Sequence, residues 1–342
     1  MAKRKKRNPG HPARRATARP AASPPSEDSK PAFSPRVLLV LVILLAATGG
    51  IVFLASGSGD EPVDEQAAAP ETLSVPWIDP SGPTPLVGSL DVNRADKSIW
   101  LSTNTGLWRL AADADQPEQV TGNLSTEDGS GDISEQLVVR FRGPDRLIGS
   151  GHPPPGSALP SALGLIESDD AGKTWSSISE LGAGDFHSLQ VSGDVVVGGL
   201  FGQAAVSVST DGGKTFNTAT APSLLVDLEV DPDNPDRMVA SNRRGLITSA
   251  DGGNTWRTRG PVPNIRFTWP SSDTLYRIDP GGPVKVSADG GATWHDRGTT
   301  GGEPQALFSD RPDHLYATLI DGTIKESKDG GATWTDLVTP PN

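Results

Sequence analysis

Hydrophobic and polar positions follow two patterns along this chain of 342 residues. Residues 37–55 form one apolar run without a charged side chain. From about residue 84 onward, apolar residues occur instead in short runs, separated by Gly, Pro, Asp and Ser. The first pattern predicts a single helix, and the second predicts many short β-strands joined by tight turns.

The apolar run is long enough to cross a bilayer. At about 1.5 Å per residue, residues 37–55 span about 28 Å, close to the roughly 30 Å hydrocarbon core. The flank before the run is basic and the flank after it is acidic, so the positive-inside rule places the preceding residues in the cytoplasm and the following ones outside. A cleaved signal peptide is the alternative, but its apolar region typically has only about 7–15 residues. We therefore expect a single-pass anchor in the cell membrane.

Charge divides the chain at the same place. Residues 1–36 carry ten Lys or Arg and two acids, which leaves 20 basic and 40 acidic residues for 37–342. We predict a disordered basic cytoplasmic tail over 1–36, a transmembrane helix over 37–55, a linker over 56–83 and one folded domain over 84–342. Because phosphate backbones require clustered Lys and Arg, we expect no nucleic-acid partner for the acidic folded domain.

The folded domain contains an internal repeat. Five segments share the form Ser-x-Asp-x-Gly-x-Thr-aromatic: SDDAGKTW, STDGGKTF, SADGGNTW, SADGGATW and SKDGGATW. Their aspartates lie 41, 40, 38 and 40 residues apart: Asp170, Asp211, Asp251, Asp289 and Asp329. A period near 40 indicates a repeated structural unit of one propeller blade.

The repeated residues suit a hairpin. Asp accepts backbone N–H bonds, and Gly adopts positive φ. The closing aromatic residue is large enough to fill the gap under the turn and between units. These aromatic residues are Trp175, Phe216, Trp256, Trp294 and Trp334.

Each unit also contains further strand patterns around a Pro/Asp turn, which gives four short strands per unit. With a degenerate unit at 91–110, six units fill residues 84–342. The sequence therefore predicts an all-β, six-bladed β-propeller; seven blades would require strands from residues 72–83.

The five segments resemble the Asp-box, or BNR, repeat of sialidase-like β-propellers. That resemblance implies that the aspartates are structural and lie on the face away from any active site. The stretch from FRGPDRLIGSGHPPP to GDFHSL also resembles a bacterial membrane-anchored Asp-box family that carries a glycosyl hydrolase label. Members of that family commonly open with a His-rich strand, whereas the corresponding residues 86–93 contain no histidine.

No catalytic set of a sialidase-like glycoside hydrolase stands out. The FRGP segment at 141–144 aligns with an ordinary turn of a later unit, and Tyr276 and Tyr316 occupy a position where other units have Val or Ile. There is no cysteine, and the five histidines show no ligand spacing, so we predict no metal site and no cofactor. Whether the chain is an enzyme stays open.

One region departs from the repeat. A long loop within residues 149–164 carries His152, Glu167 precedes the first Asp hairpin, and the next unit opens with Asp185 and His187. Adjacent blades could bring these side chains to one mouth of the central channel, where His acts as a base, ligand or donor. A proline-stiffened loop beside a satisfied polar strand residue is the alternative interpretation.

These features favour a binding protein whose partner is an envelope glycan or a cell-envelope protein. An exo-acting glycoside hydrolase of sialidase-like type and an assembly factor for a membrane complex are the two alternatives.

Overall fold

The computed structural model describes residues 86–340, apart from residues 115, 128 and 134–136. Every regular element in that part of the chain is a β-strand, and the strands form six successive sheets. The predicted all-β, six-bladed propeller is therefore confirmed. The predicted tail, membrane helix and linker lie outside the described residues. Among the described residues, no helix is long and apolar enough to span a membrane.

The strands follow the chain blade by blade. Blade 1 contains β1–β4: Val87–Val92, Ile99–Thr103, Gly106–Leu110 and Glu118–Val120. Blade 2 contains β5–β10: Asn123–Thr126, Gly129–Asp132, Leu137–Phe141, Leu147–Gly151, Leu165–Ser168 and Thr174–Ser179. Blade 3 contains β11–β14: Phe186–Ser192, Val195–Leu200, Ala205–Ser209 and Asn217–Thr220.

The second half repeats this order without insertions. Blade 4 contains β15–β18: Leu225–Asp231, Asn234–Asn242, Gly245–Ser249 and Arg257–Gly260. Blade 5 contains β19–β22: Arg266–Ser271, Thr274–Ile278, Pro283–Ser287 and His295–Thr299. Blade 6 contains β23–β26: Pro304–Arg311, His314–Leu319, Ile324–Ser327 and Thr335–Val338.

The ring closes by contact between its first and last blades. The first long strand of each blade (β1, β7, β11, β15, β19 and β23) lies innermost, against the equivalent strand of its neighbours, and β1 packs on β23. The backbone N–H of Val87 donates a hydrogen bond to Oε1 of Gln305 at 2.7 Å. Each blade is built from one continuous piece of chain, so closure requires no strand exchange.

Blade 2 carries an additional hairpin that the repeat pattern does not predict. Strands β5 and β6 add to its outer edge, where β5 runs parallel to β10. Leu124 of β5 is fully buried in the same apolar cluster as Trp100 and Trp175. The hairpin thus covers the edge of blade 2 and closes the core between the first two blades.

The hydrophobic core lies between blades. Trp175 packs with Trp100 and Leu107 of blade 1, and Trp294 packs with Val239 and Leu246 of blade 4. Each repeat aromatic therefore fills the gap toward the preceding blade. Since burial of apolar area stabilises by roughly 25 cal/mol per Å², these interfaces hold the ring together without disulfides.

Candidate functional site

The turns of the propeller fall on two faces because neighbouring strands of each four-stranded blade are antiparallel. One face carries the turns between second and third strands and the connections between blades; we call it the loop face. The opposite face carries the turns between first and second strands and the five Ser-x-Asp-x-Gly-x-Thr hairpins. We call it the Asp-turn face.

Three of the four predicted site residues meet on the loop face. Asp185 Oδ2 lies 3.2 Å from His152 Nε2, and Asp185 Oδ1 lies 3.2 Å from His187 Nε2. The two Nε2 atoms are 3.4 Å apart. His152 comes from the long β8–β9 loop, whereas Asp185 and His187 lie where blade 3 begins. The ring therefore brings together residues that are distant in sequence.

The backbone positions each member of this cluster. His152 follows Gly151, whose carbonyl accepts the N–H of Leu163 at 2.9 Å and closes the neck of the loop. The Asp185 carbonyl accepts the N–H of Phe201 at 2.8 Å. His187 is the extra residue of a β-bulge in β11, since Phe186 and Ser188 pair with consecutive residues of β12. Bulges re-aim side chains and are common next to functional sites.

Glu167 lies elsewhere. It is in β9, paired with Ile148 of β8 and Ser176 of β10. Its carboxylate is not part of the group of ligand atoms that lie within 4.8 Å of one another in the cluster. The structure thus separates Glu167 from the three residues that converge, because it belongs to the third long strand of blade 2 and not to the channel mouth.

The five Asp hairpins lie on the opposite face. The carboxylate of each aspartate is hydrogen-bonded within its own hairpin. Ser287 Oγ donates to Asp289 Oδ1 at 2.8 Å, and Thr293 Oγ1 donates to Asp289 Oδ2 at 2.6 Å. Gly291 adopts a φ of 86°, which disfavours any residue with a Cβ. The same two hydroxyl bonds recur at the other four aspartates: Asp170, Asp211, Asp251 and Asp329.

These bonds stabilise the ionised carboxylates. The hydroxyl and backbone N–H of Thr293 lower the pKa of Asp289 to about 2. Thr333 lowers the pKa of Asp329 to about 2 in the same way. Carboxylates whose oxygens are already bonded within their own turn are poor candidates for ligand binding, so the geometry fits a structural role.

A cavity of about 470 Å³ opens at the loop face into the channel. His187, Phe201, Asp227, Glu229 and Arg266 are among its lining residues. A second cavity of about 470 Å³ lies toward the Asp-turn face. Glu229 and Arg140 line both cavities, so this pair lies where the two halves of the channel meet.

Burial perturbs the carboxylates of the channel. Desolvation, followed by the charge of Asp227, raises the pKa of Glu229 well above its usual range. Gln190 Nε2 donates to Glu229 Oε1 at 2.9 Å. Burial also raises the pKa of Asp227, against the opposing charge of Arg266. Glu229 is consequently the carboxyl group of the channel best suited to hold a proton.

Sequence reasoning missed this group of channel residues. Four polar residues lie within innermost strands, each between two apolar neighbours: Asp91, Arg140, Gln190 and Glu229. A charged residue at an alternating strand position ordinarily indicates a solvated face. The sequence does carry one signal for them. These residues occupy comparable positions in successive repeats, so closure of the ring places their side chains around one axis.

Exposed apolar side chains lie on the loop face, and two of them, Leu86 and Phe201, line its cavity. The exposed large hydrophobic residues of the described chain all lie on this face: Leu86 at 66% exposure, Phe201 at 58%, Leu224 at 49% and Ile320 at 48%. We call these four residues the apolar rim. The ring of Phe201 stacks on that of His187, with centroids 4.0 Å apart. Phe201 therefore joins the apolar rim to the His–Asp–His cluster.

The features weighed for a sialidase-like site lie outside the His–Asp–His cluster, and the FRGP segment at 141–144 lines the second cavity. Gly143 and Pro144 lie in the turn between β7 and β8, where Pro144 O accepts a bond from Asn93. Tyr276 and Tyr316 are buried in second strands, and Tyr276 Oη donates to Pro312 O at 2.8 Å. Neither tyrosine lines the two cavities described above.

Comparison with known proteins identifies the fold and no closer relationship. No protein-family model and no curated protein matches the chain. A GH74 enzyme from Niastella koreensis superposes with a TM-score of 0.50 at 17% identity, over 75% of this chain and 45% of that one. This chain thus spans less than half of that enzyme.

Two other solved propellers cover more of their own length. The WD40 β-propeller domain of Doa1 gives a TM-score of 0.50 at 11% identity, over 76% of this chain and 85% of that one. YCF48 from Cyanidioschyzon merolae gives a TM-score of 0.46 at 16% identity, over 74% and 85%. Identities this low indicate shared architecture alone. The described chain is an all-β, six-bladed propeller with structural neighbours that include GH74 enzymes and YCF48.

Proposed function

We propose that this chain is a membrane-anchored Asp-box propeller that binds a cell-envelope protein at its loop face. The apolar rim is the observation that carries the proposal. Its four side chains come from blades 1, 3, 4 and 6 and all lie on one face. Exposed apolar residues that share one face, two of which line a cavity, are typical of a binding surface.

The chemistry of the rim favours a protein over a glycan. Leu86, Leu224 and Ile320 are aliphatic and gain most from contact with other apolar side chains. Phe201 is the one aromatic residue among the four, and His187 covers one of its faces. Sugar rings stack on open aromatic faces, which this rim does not supply in number. A protein segment with apolar side chains matches it better.

The channel beneath the rim supplies polar contacts. Arg266 donates through Nη1 to Val226 O at 3.0 Å, whereas its Nε is buried and has no hydrogen-bond partner. Asp227 and Glu229 line the same cavity. A partner segment that enters the cavity would meet a charged floor below an apolar entrance, which is the usual arrangement of a specific binding pocket.

The sequence supports the placement in the envelope. The apolar run at 37–55 and its charge asymmetry predict that the propeller lies outside the cytoplasm, tethered to the membrane. A partner at the membrane surface would then be within reach of the linker. An assembly factor for a membrane complex is one form of this proposal, in which the partner is a subunit of that complex.

Site-specific photocrosslinking tests the proposal in the full-length chain in its own membranes. We expect a crosslinker at position 201 or 224 to capture the same partner. A crosslinker at Lys214, which is exposed in an Asp hairpin on the opposite face, should not capture it. Phe201→Asp, probed from position 224, should abolish capture at an unchanged thermal midpoint. Capture that resists this substitution, or none from either position, would refute the proposal.

Glycoside hydrolysis is the second candidate because of Glu229. A half-buried carboxyl group with a raised pKa that lines a cavity is suited to general acid catalysis. Asp227 lies two residues away on the same strand, but its oxygens accept the backbone N–H groups of Leu228 and Phe267. Turnover of aryl glycosides by the full-length chain, lost in Glu229→Gln, would favour this candidate over binding alone.

A further inference from the structure

We propose that His152, Asp185 and His187 form a binding site for one divalent transition-metal ion of the zinc type. The site lies beside the apolar rim but does not depend on the proposed partner. It also departs from the expectation of no metal site, which considered ligand spacing along the chain and not the meeting of two blades.

The distances in the cluster fit a metal ion. Ligand atoms about 2.0–2.1 Å from a tetrahedral zinc ion lie about 3.3 Å from one another. The observed separations are 3.4 Å between the two histidine Nε2 atoms and 3.2 Å from each Nε2 to an Asp185 oxygen. Each histidine Nε2 therefore lies at about the length of a tetrahedral edge from the other Nε2 and from one oxygen of Asp185.

The tautomer of His152 leaves a lone pair in the middle of the cluster. Its Nδ1 lies 2.6 Å from the carbonyl oxygen of Ser161. A carbonyl oxygen only accepts, so Nδ1 carries the proton, and Nε2 of the neutral ring is an acceptor. A carbonyl that fixes the remote ring nitrogen is the usual partner of a metal-ligating histidine.

Hydrogen bonding alone does not satisfy the three groups. The Nε2 of His152 and the Oδ2 of Asp185 are both acceptors when the ring is neutral and the carboxylate is ionised. His187 has one Nε2 proton at most and cannot serve both neighbours. Oδ1 of Asp185 is buried and has no hydrogen-bond partner of acceptable geometry. A cation between these atoms would satisfy the lone pairs together.

The ligand set indicates the class of metal. Two imidazoles and one carboxylate suit zinc and its neighbours in the transition series, whereas magnesium and calcium prefer oxygen ligands throughout. The side chains of His152 and His187 remain 30% and 42% exposed. The fourth position of a tetrahedral ion is therefore accessible to water or to a donor group of another molecule.

The surroundings hold the ligands in place before any ion binds. Three consecutive prolines, Pro153 to Pro155, follow His152 and restrict the loop. The neck of the loop is closed by the Leu163 N–H bond to Gly151 O, and Gly164 N–H donates to Gly184 O at 3.0 Å. His187 is held by its bulge and by stacking on Phe201. Such preorganisation is a requirement for a precise metal site.

Calorimetric titration of the chelator-treated full-length chain with zinc chloride, in mild detergent, tests the site. We expect one zinc ion per chain at this site and a thermal midpoint that rises with zinc concentration. His152→Ala, His187→Ala and Asp185→Asn should each weaken this binding at least about a hundredfold, since loss of a partner of a ligand already costs 10–100-fold. Cobalt(II) should give the intense visible absorption of a four-coordinate ion, and the three variants should lose it.

Matched controls separate this site from other histidines. His295 is exposed at the start of β22, and His11 lies in the basic tail. His295→Ala and His11→Ala should bind zinc as the unchanged chain does. All five variants should keep their thermal midpoint in EDTA, and Asp185→Asn preserves side-chain shape if an alanine variant does not fold. Absence of stoichiometric zinc binding, or binding that survives loss of either histidine, would overturn the proposal.

Discussion

The carboxylate of Asp227 accepts the backbone N–H of Phe267 from the next blade at 2.8 Å. Its other oxygen accepts the N–H of Leu228 at 2.9 Å. Asp91 makes the same pair of bonds to Phe141 and Val92. The innermost strand of a blade has an unpaired edge toward the channel. Each of these aspartates accepts one backbone N–H from its own strand and one from the innermost strand of the next blade.

Asp227→Ala should lower the free energy of unfolding by about 1–3 kcal/mol, because Phe267 N–H would be left buried without an acceptor. Chemical denaturation measures this difference. Asp273 bonds only to the hydroxyls of Ser271 and Thr274 in an exposed turn. Asp273→Ala should stay within about 0.5 kcal/mol. Equal effects for the two substitutions would contradict the role of Asp227 as an acceptor between blades.

Glu229→Gln should stabilise the fold progressively as the pH rises above about 4. Burial raises the pKa of Glu229 in the folded chain, so ionisation is easier after unfolding. The natural chain therefore loses stability as pH increases through the raised pKa, whereas glutamine does not titrate. Each kcal/mol gained would raise the thermal midpoint by roughly 2–4 °C.

Thermal unfolding at several pH values checks this prediction. The advantage of Glu229→Gln should vanish near pH 4, where both side chains are neutral. Glu167→Gln, in β9 and outside both channel cavities, is the matched control and should show no such trend. A midpoint difference for Glu229→Gln that is independent of pH would be incompatible with a raised pKa of Glu229 in the folded chain.

Asp289→Asn should destabilise the fold at pH 5 and much less at pH 2. The pKa of Asp289 is lowered to about 2 in the folded chain, against about 3.9 for an unfolded aspartate. Its contribution to stability is thus complete above pH 4 and disappears as the pH falls through 2. The difference in thermal midpoint between the two proteins should shrink accordingly.

Asp194 provides the comparison for that experiment, since it is exposed in the turn between β11 and β12 and outside the Asp hairpins. Asp194→Asn should change the midpoint little at either pH. If Asp289→Asn is equally damaging at pH 2, its effect comes from shape and not from the charge of the carboxylate.

Gly298→Ala should cost about 1–3 kcal/mol through overpacking. A Cβ at this position of β22 would lie 2.4 Å from Gly331 O and 2.5 Å from Ala332 O, in the hairpin of the next blade. Both atoms belong to the backbone and cannot move independently. At Gly260, the last residue of β18, a Cβ meets nothing within 4 Å, so Gly260→Ala should be close to neutral in denaturant titrations. Similar losses at both glycines would show that strand propensity, and not the approach of the hairpin, decides the cost.

The repeat predicts most of the fold, because one Asp hairpin per forty residues specifies both a turn and the spacing of the strands around it. It does not predict the β5–β6 hairpin, whose residues lie between two units and share no pattern with them. Leu124 shows why: its burial depends on Trp100 and Trp175, which only the assembled ring brings together.

Part of the candidate site could be predicted, because a long loop that interrupts the repeat is followed closely by the start of the next blade. His152, Asp185 and His187 converge, as the interruption of the repeat suggested. Glu167 was selected because it is close in sequence to the long loop. Proximity in sequence is a poor guide within a blade, because each successive strand lies farther from the channel. Glu229 and Arg266 were missed, because only closure of the ring converts an apparently solvated strand face into the wall of a channel.

Because each blade is formed by consecutive strands, the blades can follow one another along the chain from a different starting point. Between the last strand of one blade and the first strand of the next, four to six residues suffice from blade 2 to blade 6. The junction between blades 1 and 6 is of the same kind, except that no peptide bond crosses it. Joining residues 340 and 86 through a short linker and opening the chain at another junction would keep every strand pairing. The order of synthesis and the architecture of the ring are therefore independent, and circular permutants that start at any blade should reach the same structure.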